Sequence, residues 1–527
     1  MSHRMRIASA ALGLVTALAL AGCGGGTTPG TGAATGGTTS SSTLHLAFLD
    51  AISTPDPDTA YDGSELNLVN SAYEGLLTYQ AGNSDATLVG ALATDWSANK
   101  ANTVFSFTLR KGVTFHDGTR FTSAAVEASF QRRTKVDGGP AYMVADVKSV
   151  ATPSPTKVVI TLTHPNSSFL DLLASPFGPK MISPTALKAH PWTGESNDWF
   201  ATHDAGTGPY EYADFTPGTS YDLKAYADYW GTAPGYRTVH FDVVSSMSTI
   251  QLELEKGQLD GLVGYTDSAA FSSFQKDSGL KTYTFPSMQT PTLFVNPNSA
   301  TLGAASTRLS FLAGIDFAAL TKAALGDTAE ATDQVFPVNL LPAAVNKQRI
   351  THDGDALSRL ASGALKGQTI TCGYPASSPA SQALCDNLVA TLNAAGIAGK
   401  SVGYSSGTYY SGLGKGAHPA DITFFTGFPD TAAPDAWGHV FYSPSGGLDL
   451  FGATVPGLDA ILDKAAENGD TKLYGRAASM VSKSGWWYSV ATSLNTAVFS
   501  PTVAGVEQSW EPVITGVLQL QYLHPAS

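Results

Sequence analysis

The chain has 527 residues, of which 43% are hydrophobic, enough for more than one core at the usual length of about 150 residues per domain. Its 30 Lys and Arg stand against 43 Asp and Glu for a formal net charge of −13. No basic cluster interleaves with aromatics, which argues against nucleic acid as a partner and against a polybasic membrane contact.

At the start of the chain, His3, Arg4 and Arg6 precede the apolar stretch Ile7 to Leu20, the basic and apolar regions of a signal peptide too short to span a bilayer as a helix. Leu20-Ala21-Gly22-Cys23 then puts small residues ahead of a cysteine. This resembles the lipobox of bacterial lipoproteins, which implies a signal peptide over 1–22 and a mature chain that begins at a Cys23 acylated on sulfur. The following residues are Gly, Thr and Ser with almost no apolar side chain and no charge, so 23–43 is expected to be a lipidated cysteine and a flexible tether.

Beyond the tether, short strand-like and helix-like stretches alternate between Gly and Pro breaks, as in a mixed α/β protein. Leu44 to Leu49 reads as a strand, Glu65 to Leu77 as a helix ending in a YEGL turn, and Val104 to Arg110 as a half-buried strand. Asp117-Gly118 supplies a tight turn before a helix from Thr122 through Phe130. Lys157 to Leu162 and Tyr221 to Tyr226 read as strands flanking the Gly206 to Tyr210 turn. After Pro286 the texture changes to a second α/β unit: strands at Thr292 to Val295 and Gln368 to Gly373, helices at Thr307 to Ala324 and Ser381 to Ala395.

Five blocks carry a family resemblance, in a fixed order. LVGALATDWSANKANTVFSFTLRKGVTFHDGTRFTSAAVEASFQR (Leu88 to Arg132), with RKGVTFHDGTRFT at its centre, is similar to the signature of the extracellular solute-binding proteins of family 5. GTGPYEYADFTPGTSYDLKAYADYWG (Gly206 to Gly231), LELEKGQLD (Leu252 to Asp260), RLSFLAGID (Arg308 to Asp316) and ADITFFTGFPDTAAPDAWGHVFYSPSGGLDLFG (Ala420 to Gly452) resemble later blocks of the same family. Phe317 stands where the family commonly has arginine, and Phe428 replaces a frequent tryptophan.

The resemblance implies a two-lobed α/β fold like the periplasmic binding proteins, type II and of the large peptide-binding cluster, with an extra subdomain in the first lobe. Lobe I would comprise 44–290 plus 496–527, with an inserted subdomain at about 78–205, and lobe II 291–495. Two crossovers, near Pro286 to Leu293 and near Val490 to Pro501, would form the hinge on which ligand closes the lobes. The implied function is a receptor without catalysis that captures a peptide or similar polar solute and delivers it to an ABC permease, as a monomer on the outer face of the cytoplasmic membrane, held there by its lipid alone. The same fold takes oligosaccharides or metal chelates in other members. A surface hydrolase or a sensory receptor are the readings from other classes.

By the same resemblance Asp430, in the turn Gly427-Phe428-Pro429-Asp430, is the candidate partner of a ligand amine. Phe428, Tyr409, Tyr410 and Trp437 are candidate pocket walls, and Tyr73 and Glu74 lie in a segment the family keeps near the cleft. His116 and Trp486-Trp487 read as structural. Cys372, near a strand end, and Cys385, in the following helix, are a candidate disulfide for an oxidising compartment, although the sequence leaves the distance between them open. No P-loop, HExxH, GxSxG or CxxC motif occurs, and His418 and His439 lack metal-ligand spacing, so neither a metal nor a cofactor is expected.

Overall fold

A computed structural model describes residues 43–194, 199–264, 267–405, 408–409, 420–444 and 446–527. The expected signal peptide, Cys23, the tether up to residue 42, Tyr410 and His418 lie outside the described residues, while Thr43, expected in the tether, opens a strand.

Three sheets organise the body. A seven-stranded sheet runs in the order Lys281–Phe285, Asn495–Phe499, Gly261–Val263, Thr43–Phe48, Thr238–Val243, Ser220–Ala225, Tyr210–Thr216. A five-stranded sheet runs Ala398–Tyr404, Thr369–Pro375, Ile422–Gly427, Thr290–Val295, Trp487–Ser489. A four-stranded antiparallel sheet, Ala93–Ala98, Val104–Leu109, Lys157–Leu162, Val147–Ser154, packs its apolar face on the helix Ser123–Val136. The chain leaves the first sheet for the second between Phe285 and Thr290 and returns between Ser489 and Asn495.

Three elements differ from the sequence reading, each for a tertiary reason. The first helix spans only Leu66–Ala72, because the carbonyl of Ala72 accepts the N–H of Gly208 at 2.9 Å. Tyr73 is accordingly extended, and Leu77–Tyr79 forms a strand with Leu88–Gly90. The close approach requires glycine, since a Cβ on Gly206 would lie 1.9 Å from the Ala72 carbonyl oxygen. The helix expected to end at Phe130 continues to Val136, because Arg132 and Arg133 are drawn into the interior by Asp56 and Asp58. The stretch Thr307 to Ala324 divides into Ala305–Ala313 and Phe317–Leu325, bent by 62°. Asp316 caps the second piece by accepting the N–H of Ala319, which starts a new helix direction.

The largest apolar cluster is shared between the two halves of the chain. It joins Phe105, Phe107, Ile160 and Phe169 to Trp437, Phe441, Tyr474 and Trp487. A separate cluster fills the space between the five-stranded sheet and its helices, where Cys372 and Cys385 are bonded with Cα atoms 5.6 Å apart. Among the described residues no single helix is long and apolar enough to cross a membrane.

Candidate functional site

The strand Ile422–Gly427 ends directly over the helix Asp435–Tyr442, and only glycine allows this: a Cβ on Gly427 would come within 2.7 Å of the Phe441 ring. The connecting loop, Phe428 to Pro434, thereby projects from the five-stranded sheet toward segments that belong to the first half of the chain. It is stitched there by four hydrogen bonds. Tyr61 and Tyr142 each donate a hydroxyl to Asp430 Oδ2 at 2.5 Å, Ser175 Oγ donates to the Asp430 carbonyl at 2.6 Å, and the N–H of Ala432 donates to the Tyr79 hydroxyl at 2.9 Å.

Aromatic rings surround the carboxylate. Tyr61 meets Phe177 edge-on at 5.0 Å and Tyr142 at 6.2 Å, while Phe177 and Phe428 are nearly parallel at 6.5 Å. Tyr61 and Tyr142 keep 40% and 43% of their surface accessible, so neither is a core residue. Burial raises the Asp430 pKa above the ordinary carboxylate value, and the two tyrosine hydroxyls offset only part of the rise. No Lys, Arg or His among the described residues forms an ion pair with Asp430.

The segments bearing these rings are held by one buried side chain. Arg133, 0% exposed, donates to Asp58 Oδ1 at 2.9 Å and to the carbonyls of Pro57, Pro140, Phe177 and Gly178. Pro57 precedes Tyr61, Pro140 precedes Tyr142, and Phe177 is itself part of the wall. Arg132 pairs with Asp56 and Asp58, each at 2.6 Å, and fixes the same loop. Gly139 lets the Tyr61 ring lie against its turn, where a Cβ would be 2.5 Å from the ring.

Of the residues singled out from sequence, Gly427, Phe428 and Asp430 come together here. Of the other described ones, Trp437, Tyr409 and Tyr73 are buried and Glu74 is half-buried. Trp437 is 0% exposed, stacks on Phe441 and donates its indole N–H to Tyr442. Tyr409 is also fully buried, its hydroxyl bonded to Thr423 Oγ1 at 2.8 Å. Tyr73 packs on Tyr212 and accepts the N–H of Ala205. Glu74 receives the Thr207 hydroxyl, the Tyr229 hydroxyl and the Trp230 indole N–H, which saturates it as an internal brace. His116 bonds Asp204 and the Gly208 carbonyl, fixing the same turn.

Tyr61, Tyr142 and Phe177 were not among the sequence candidates. Tyr61 and Tyr142 act through Asp430, 369 and 288 positions away, which leaves no local periodicity to detect, although all three lie within two residues of a Gly or Pro. Among the described residues no group of three or more His, Cys, Asp or Glu is arranged to hold a metal ion.

Known proteins match this chain in both sequence and fold. The probable D,D-dipeptide-binding periplasmic protein DdpA of Escherichia coli K12 is 25% identical over 384 residues, covering 72% of this chain and 73% of that protein. The dipeptide-binding protein of the same organism is 24% identical over 416 residues, 73% of this chain and 75% of its own length. In fold, the chain is similar to NikA from Brucella suis, solved with Fe(III)-EDTA, at a TM-score of 0.81 and 21% identity over 92% of this chain and 100% of that one. DppA from Helicobacter pylori, solved with the peptide STSA, superposes at a TM-score of 0.76 and 20% identity over 92% of this chain and 98% of that one. Both are two-lobed periplasmic binding proteins, and this chain has the same α/β architecture. The family described as bacterial extracellular solute-binding proteins, family 5 Middle, matches residues 87–449, and the chain belongs to that family of solute receptors acting outside the cytoplasm.

Proposed function

We propose that this receptor captures a peptide or a similarly sized polar solute that carries a positively charged nitrogen, and passes it to an ABC permease. Asp430 is the anchor for that nitrogen. The observation that carries the reading is a carboxylate set among aromatic rings with no cationic side chain among the described residues paired to it. A desolvated charge of this kind costs several kcal/mol until an opposite charge joins it, so closure of the cleft is favoured when a ligand supplies the cation.

Lobe I then comprises 44–290 and 496–527, with a subdomain at about 78–205, and lobe II comprises 291–495. The two passages of the chain between the seven-stranded and five-stranded sheets serve as the hinge. The protein works without catalysis, as a monomer tethered to the outer face of the membrane through lipid on Cys23.

Native mass spectrometry of the protein purified from its own source tests the substrate class. A co-purifying mass that fragments as a peptide, and that Asp430→Ala no longer retains, supports the reading. A retained sugar or metal chelate indifferent to that substitution overturns it.

A further inference from the structure

We propose that the cation held at Asp430 is an N-alkylated one, a tertiary or quaternary ammonium; this rests on the reading of Asp430 as the cation anchor. The site offers few hydrogen-bond acceptors beside a large ring surface. Asp430 Oδ2 already receives both tyrosine hydroxyls, and the Asp430 carbonyl receives Ser175 Oγ. Of the two carboxylate oxygens of Asp430, Oδ1 receives no donor from the described residues.

A primary ammonium brings three N–H donors, for which the described residues offer Oδ1 and the remaining lone pairs of the two tyrosine hydroxyls, and it must give up strong hydration to reach them. An alkylated nitrogen carries one N–H or none. Its charge spreads over methyl groups that pack on aromatic faces while remaining close to the carboxylate. Tyr61, Tyr142, Phe177 and Phe428 supply those faces from both sides of the cleft, with ring centres 5.0 to 6.5 Å apart. The exposed surfaces of Tyr61 and Tyr142 leave room for the cation to enter. Phe428, two residues before Asp430, is the residue that closes the cage from the Asp430 side.

Choline and ethanolamine differ only in N-methylation and report on this pocket independently of the rest of the ligand. Isothermal titration of the full receptor with each is the test. Choline is expected to saturate and to bind at least about tenfold tighter than ethanolamine, equivalent to about 1.4 kcal/mol. Phe428→Leu, which keeps apolar volume and removes the ring, is expected to erase that preference, and Asp430→Asn to abolish binding of both. Ethanolamine binding as tightly as choline, with both lost in Asp430→Asn, overturns this inference and leaves the anchor in place. Binding of neither, or binding of both untouched by Asp430→Asn, overturns the inference and the anchor together.

Discussion

Tyr142 donates its hydroxyl to Asp430 at 2.5 Å although 288 positions separate them in the chain. The contact joins the turn Gly139–Val144, beside the four-stranded sheet, to the loop that leaves the five-stranded sheet. Tyr61 reaches the same carboxylate oxygen from a third segment. A single carboxylate thus becomes the meeting point of three parts of the chain, and whatever binds it reports on all three.

Replacing Asp430 by alanine removes that meeting point. With Asp430 as the proposed cation anchor, we expect the affinity for the receptor's own ligand to fall by about 2 to 5 kcal/mol, as for loss of one partner of a desolvated charge pair. Tyr142→Phe keeps the ring and loses one hydrogen bond, so a cost of about 1 kcal/mol is expected. Calorimetry with ligand recovered from the protein checks both, and an unchanged dissociation constant in Asp430→Ala would remove this residue from the site.

Much of the frame was legible in the residues. The alternation Val104 to Arg110 gave a strand at Val104–Leu109, and the block around Gly427 to Asp430 marked the loop that carries the carboxylate. What escaped was set by contacts distant in sequence. The helix at Leu66–Ala72 stops early because of Gly208, and the helix that begins at Ser123 runs on because of Asp56 and Asp58. Trp437 and Tyr409 carried the right chemistry for a pocket wall, yet they lie on interior faces. Composition cannot distinguish an aromatic that faces a cleft from one that faces the core.

Arg133 holds together the segments that carry Tyr61, Tyr142 and Phe177. Arg133→Met leaves Asp58 with one charged partner fewer and frees the carbonyls of Pro57, Pro140, Phe177 and Gly178. We expect a loss of about 3 to 5 kcal/mol in urea unfolding, the range for breaking a buried ion pair. Arg133→Lys is expected to recover little of it, since one ammonium cannot reproduce a planar fork with five donors. Ligand affinity should fall in parallel in the fraction that remains folded, because Tyr61, Tyr142 and Phe177 all sit on the released segments.

The Cys372–Cys385 bond ties the strand Thr369–Pro375 to the helix Pro379–Ala394 across a separation of 13 residues. A loop of this size is expected to contribute about 2 to 3 kcal/mol, chiefly by restricting the unfolded chain. Thermal unfolding with and without a reductant, and of the Cys372→Ser, Cys385→Ser double variant, should show this loss. Reductant should have no further effect on the double variant.

His439 gives the pH dependence whose sign can be worked out most directly. Its ring bonds Asp435 through Nδ1 at 2.5 Å and Asp463 through Nε2 at 2.9 Å, joining the helix Asp435–Tyr442 to the helix Leu458–Asn468. Burial pulls the imidazole pKa down, but the two carboxylates outweigh it and raise the value from 6.5 to about 9. Because the folded value lies above the unfolded one, the protonated imidazole stabilises the fold fully below pH 6.5, and this contribution disappears as the pH rises through about 9. Asp463 is 71% exposed at its side chain, so solvent screens part of the effect and about 1 kcal/mol is the expected size. Melting temperatures between those two pH values should therefore decline in the parent protein and decline less in His439→Gln. Equal slopes in the two proteins would show that this bridge contributes nothing to the pH dependence.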